Sequence, residues 1–249
     1  MADDAPREAA VKAPAEGSPG AIALLVGLTG AVAAFTATFN GPRDRFWSRM
    51  TYTGIGLGSW ALLRSKPARR LGLRWWHVPV GLASANVLYL TFRVGDAFAR
   101  RFVPGGDAQI RQIYELRTSR PRGEIAARLA LLIGPAEEIF WRGLVQDALM
   151  DRFGRWRGAA LAALAYGGVH VVTGNFTLMG AAGVAGAHWC VLYAAGVPLG
   201  ALIVSHSSWD IWIFLVQPTG EIDAIDGAGR TIRLTGFGSG ATDYPSLVL

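Results

Sequence analysis

Glu137 and Glu138 stand side by side in Gly134-Pro135-Ala136-Glu137-Glu138-Ile139-Phe140-Trp141-Arg142, within a chain otherwise apolar enough to be membrane. An ionisable side chain at membrane depth costs several kcal/mol, roughly 2.5 to 3.5 on insertion scales, so such groups pair and line a polar cavity. On a helix Glu138 and Arg142 are i and i+4 and face each other, while Glu137 points about 100° away. The spacing predicts that Arg142 serves as structural partner to Glu138 and leaves Glu137 free to take and give a proton. Pro135 removes a backbone hydrogen bond and disfavours helix at Gly134, which predicts a kink just before the pair and a wet pocket beside it.

Two further pairs repeat the i, i+4 spacing inside apolar runs: Tyr166 with His170, and His206 with Asp210. A lone histidine on an apolar face is usually a hydrogen-bonded packing residue. Three such clusters in neighbouring apolar segments favour another reading, in which Glu137, Glu138, His170, His206 and Asp210 converge on one hydrated site. A carboxylate and an imidazole around one water supply general-base chemistry. Two histidines and three carboxylates are also a plausible zinc set with a hydrolytic water. The spacing lacks HExxH, and on the residues alone both readings stay open. Ser205, Ser207 and Ser208 beside His206 lack a GxSxG elbow and read as hydroxyls that satisfy helix backbone. His188 reads as a packing residue near the site with a proton relay as the lesser alternative, and His77 beside Trp75 and Trp76 reads as interfacial.

The elements that must carry these residues are membrane helices. Of 249 residues 51% are hydrophobic and only 17% charged, which is far toward the membrane class. The net charge of +6 comes mainly from arginines that flank apolar segments, the pattern of membrane interfaces; no basic, aromatic-interleaved surface for nucleic acid is present. The single cysteine, Cys190, excludes an internal disulfide and a cysteine-based zinc cluster.

The expected fold is all-α, a polytopic transmembrane helical bundle of about seven spans in the cell membrane. Residues 1–19 read as a disordered tail, 20–123 as N-terminal spans and basic loops, 124–216 as the helical core that bears the polar clusters, and 217–249 as an exposed tail with a short hairpin at Ile222 to Leu234. The spans are placed at Gly20 to Phe39, Thr51 to Leu63, Trp75 to Val94, Ile125 to Met150, Gly158 to Val172, Leu178 to Ala195 and Val197 to Val216. The basic loop of Arg64, Lys66, Arg69, Arg70 and Arg74 is the best candidate for the inside face. The Ala99 to Arg122 connection is long and polar enough for an amphipathic surface helix.

The order of the three clusters, EExxxR, then aromatic-xxx-His, then HxxxD, resembles the CAAX prenyl protease and bacteriocin-processing family of glutamic intramembrane proteases. The likeness spans roughly Ile125 to Val216, and the triple motif in this order is a specific signal. It implies that Glu137 with His170 activates the water that attacks a peptide carbonyl, and that His206 with residue 210 stabilises the oxyanion, without metal, so the metal-free reading ranks first and no cofactor is expected. It implies a membrane-anchored or lipidated peptide as substrate, within the lipid bilayer and with no nucleic acid partner. Tyr166 stands where Phe is more usual, and its buried hydroxyl needs a partner. Asp210 stands where many members have Asn; an ionised carboxylate repels an oxyanion, so Asp210 helps only if protonated or by orienting His206. The competing class is a non-catalytic immunity, scaffolding or transport protein that uses the same polar pocket.

Overall fold

The computed structural model describes residues 20–69, 71–219, 222–225 and 231–234. The tail expected at 1–19, Arg70 and most of the tail expected from 217 lie outside the described residues. The chain is helical from residue 21 to 216 apart from short connections. Helices α1 (Ala21–Phe39) and α2 (Phe46–Arg64) form an antiparallel pair, followed by one turn, α3 (Lys66–Arg69), and the long α4 (His77–Phe102). The polar connection holds the expected amphipathic helix, α5 (Gly106–Tyr114), which buries Ile110 and Tyr114.

A continuous helical path then runs from α6 (Arg122–Arg128) through α7 (Gly134–Phe140) to α8 (Asp147–Phe153). Two widened, π-helical turns interrupt it, at Leu129–Ile133 and Trp141–Gln146. The first lies where the kink is expected: Gly134 keeps helical angles, φ −56° and ψ −51°, and the extra residue in the preceding turn accommodates the proline that lacks an N–H. After α9 (Arg155–Val169) a 3-10 turn, His170–Thr173, ends at Gly174 with φ 63°, a left-handed conformation glycine adopts without penalty. Asn175 caps α10 (Phe176–Ala194) by accepting the Leu178 N–H, and α11 (Leu199–Ile211) closes in a third widened turn, Trp212–Val216. The one sheet among the described residues is the hairpin of β1 (Ile222–Ile225) and β2 (Thr231–Leu234), antiparallel, at the expected position.

Three helices among the described residues are long and apolar enough to cross a membrane: Ala21–Phe39, Phe176–Ala194 and Leu199–Val216. The other segments of the expected seven fall short by length or by the arginines and small polar residues they carry; α9, for example, has 15 residues. Large apolar side chains point outward on helices of both kinds, including Ile22, Leu63, Leu131 and Leu164, each more than 70% exposed. Apolar surface on that scale is turned to lipid, and the chain is an integral membrane protein.

Close backbone approach brings the polar helices together. Helices α4 and α11 run parallel: Ser84 meets Ser205 at 2.8 Å, and further along the rings of Phe92 and Trp209 lie 4.7 Å apart. A Cβ on Gly134 would stand 2.6 Å from Ser207 Oγ, so the glycine beside the glutamate pair lets α11 reach α7. His77, expected at the interface, is buried (3% exposed) because the start of α11 covers it at Gly200.

Candidate active site

Glu137 and Glu138 leave α7 on different faces, as helical geometry requires, and the two carboxylates meet different partners. Glu138 is fully buried, with Arg142 Nη1 3.0 Å from its Oε1, the expected i, i+4 pair. The same oxygen receives a second partner from α11: His206 Nδ1 lies 2.7 Å away, and since a carboxylate only accepts, Nδ1 is the donor. That commits one edge of the imidazole and leaves Nε2 as the free edge, 3.6 Å from Asp210 Oδ2. Such a separation is longer than a direct hydrogen bond. Arg142, also fully buried, stacks its guanidinium over the rings of Tyr166 at 4.9 Å and Trp189 at 5.2 Å.

Glu137 is buried but lines the cavity, and it is not without a partner. The Tyr166 hydroxyl donates to its Oε2 at 2.9 Å, which answers the need of that buried O–H for an acceptor. One turn on, His170 Nδ1 lies 2.8 Å from the Tyr166 carbonyl oxygen. A carbonyl cannot donate, so Nδ1 carries the hydrogen and Nε2 is the lone-pair edge of the neutral ring. Phe35 and Phe39 of α1 pack edge-on against this imidazole, with centroids at 5.2 and 6.2 Å, and fix its plane.

Glu137, Tyr166, His170, His206 and Asp210 all line one cavity of about 510 Å³. Its remaining wall is mostly apolar, from Phe46, Met50, Phe92, Phe98, Ile110 and Phe214 among others. Helix α5 forms part of this wall and is tied down on both flanks. Arg100 bridges Asp96 (2.9 Å) and Asp107, Arg111 also pairs with Asp107, and Gln109 holds the start of α10 through Asn175 and Thr177. The Tyr114 hydroxyl bonds Thr219 at 3.1 Å, and burial pushes this phenol above its ordinary value, so it stays a neutral O–H.

Of the residues singled out by spacing, Glu137, His170, His206 and Asp210 share the cavity, while Glu138 and Arg142 lie behind it as a buried pair that holds His206. Among the described residues no group of three or more His, Cys, Asp and Glu side chains is arranged to hold a metal ion. Ser207 reaches backbone, at the Ala130 carbonyl oxygen (3.4 Å), whereas Ser205 bonds side chains, Ser84 and Trp189. His188 bonds Ser84 Oγ at 2.9 Å and Cys190 is buried. Spacing alone missed Trp189, whose ring stacks on His206; no local pattern marks a tryptophan within an apolar helix as anything but packing.

The family model for type II CAAX prenyl endopeptidase Rce1-like proteins matches residues 124–212. Over this segment the chain is similar to the CAAX protease family. The match takes in all three polar clusters, from Glu137 to Asp210. No curated protein and no solved structure gives a significant match.

Proposed function

We propose that this protein is a member of the CAAX protease family and an intramembrane endopeptidase of the glutamic type, seated in the cell membrane, which hydrolyses a membrane-anchored or lipid-modified peptide. The observation that carries the reading is the convergence of Glu137, His170 and His206, from three helices, on one cavity whose other walls are apolar. Water held between the Glu137 carboxylate and His170 Nε2 loses its proton as it attacks the scissile carbonyl. His206, in the imidazolium form that carries a hydrogen on each nitrogen, is anchored to Glu138 through Nδ1 and turns its Nε2–H toward the oxyanion; donors fixed before the reaction stabilise developing charge most effectively. Asp210, beside that edge, orients the imidazole rather than meeting the oxyanion. Departure of the amine needs a proton, and Glu137, protonated in the first step, supplies it.

The finer architecture belongs to the same proposal. The helical path alternates direction through α1, α2, α4, α6 to α8, α9, α10 and α11, and outward-facing apolar side chains occur on those below the length or hydropathy of a free-standing span. Seven membrane crossings fit that alternation, with α5 lying along the surface beside the cavity. The apolar wall suits a lipid or apolar peptide segment, and the polar end suits the bond to be cut.

The test is cleavage of quenched-fluorescent lipidated and unlipidated membrane peptides by the purified protein in detergent. Turnover should vanish in Glu137→Gln and survive exhaustive chelation with no metal found by elemental analysis. Unchanged turnover in Glu137→Gln refutes the assigned base; loss on chelation with recovery on zinc replaces this mechanism with a metallopeptidase. A Glu137→Gln protein that keeps its cellular phenotype identifies a binding protein instead.

A further inference from the structure

Trp189 lies on α10, in none of the three polar clusters, and is fully buried. Its ring stacks on the His206 imidazole, with centroids 4.0 Å and planes 21° apart. Arg142 Cζ stands 5.2 Å from the same ring. His206 and Arg142 are the two partners of Glu138 Oε1, so one indole backs both.

The restraints on His206 are complementary. The bond to Glu138 acts in the plane of the imidazole and fixes the direction of Nδ1. It does little against a tilt of the ring about that bond. Stacking on Trp189 acts perpendicular to the plane and opposes the tilt, because a tilted imidazole drives an edge into the indole. Together the two contacts fix where Nε2 points.

The indole is itself held. Its N–H donates to Ser205 Oγ at 3.0 Å, Ser205 meets Ser84 Oγ at 2.8 Å, and Ser84 meets His188 Nε2 at 2.9 Å. The chain of four side chains links α10, α11 and α4, and Ser205 immediately precedes His206 on α11. A buried indole N–H needs an acceptor, and this one takes it from the helix that bears the histidine it backs.

We propose that Trp189 is a positioning residue for His206, locked by Ser205, Ser84 and His188. Its effect on turnover rests on the peptidase reading of His206, and its effect on the geometry of the imidazole does not. Small misplacements of a reacting group cost up to about a hundredfold, so Trp189→Leu should lower kcat by about tenfold to a hundredfold with KM within about twofold. Trp189→Phe keeps a stacking face and loses only the N–H, and should recover most of that loss.

Two measurements decide the matter. In single-turnover cleavage, Trp189→Leu added to His206→Gln should slow the residual reaction by less than about twofold, since a residue that acts through His206 has nothing left to act on. Losses that multiply mean independent packing and overturn the proposal. In the full-length protein with isotope-labelled histidine in detergent micelles, the hydrogen-bonded Nδ1–H of His206, assigned by its absence in His206→Gln, should be lost to exchange in Trp189→Leu and kept in Trp189→Phe. An unchanged signal in Trp189→Leu overturns the proposal whether or not the protein cuts a peptide. Should the leucine variant not fold, Ser205→Ala takes its place; that variant should broaden the same proton, and a sharp, unshifted signal is the refuting result.

Discussion

Glu138 and its neighbour Glu137 differ in what surrounds them, and the difference should separate stability from activity. Glu138 Oε1 faces Arg142 at 3.0 Å and His206 at 2.7 Å, all three nearly or fully buried. Glu138→Gln preserves shape and removes the charge that both contacts use. Removing one partner of a buried ion pair leaves the other charge buried and uncompensated, which costs about 3 to 5 kcal/mol. For a chain of this size 1 kcal/mol moves the thermal midpoint by about 2 to 4 °C, which gives a fall of about 6 to 20 °C. Glu137 accepts a hydrogen bond from the Tyr166 hydroxyl and faces the cavity, so Glu137→Gln should leave the midpoint within about 4 °C while removing about 10² to 10⁴ in turnover as the general base is lost. Thermal unfolding followed by tryptophan fluorescence in a single detergent, paired with cleavage of one membrane peptide, reads both quantities. A Glu138→Gln protein as stable as the parent, or a Glu137→Gln protein that loses more stability than Glu138→Gln, refutes the division of roles.

Tyr166→Phe removes the hydroxyl from Glu137 and keeps the ring against Trp141 and Arg142; turnover should change by less than about tenfold with the thermal midpoint held, as measured on the same two assays. Asp210→Asn keeps a polar group beside His206 Nε2 and should retain turnover within about tenfold, whereas Asp210→Leu should lose more than that; equal losses in both would show that the charge itself is required. A Cβ on Gly186 would stand 2.7 Å from Tyr166 Cδ1, so Gly186→Ala should push the ring aside, cost about 1 to 3 kcal/mol of stability and reduce turnover in step with the displaced hydroxyl. Normal stability and turnover in Gly186→Ala would show that Tyr166 has room to move.

The sequence alone picks out which residues are costly to bury and which lie together on a helix. The Glu138 and Arg142 pair, the two carboxylates on different faces, the amphipathic helix between Ala99 and Arg122 and the hairpin after Ile222 were all legible, because each depends on contacts between near neighbours in the chain. Pro135 predicted a kink just before the pair, and a widened turn at Leu129–Ile133 lies there; local propensity states that a hydrogen bond is missing and not how neighbouring turns absorb the loss. The rest required the tertiary structure. Spacing gives the Tyr166 hydroxyl no reason to choose Glu137, His206 no reason to choose Glu138, and Trp189 no role beyond packing. Those contacts join residues on different helices, and they depend on where the helices cross. Crossing points are set by close backbone approaches such as Gly134 against Ser207, whose partners no periodicity within a single helix can name. What began as a pair of adjacent glutamates thus becomes two separate functions only when α9, α10 and α11 are packed around α7.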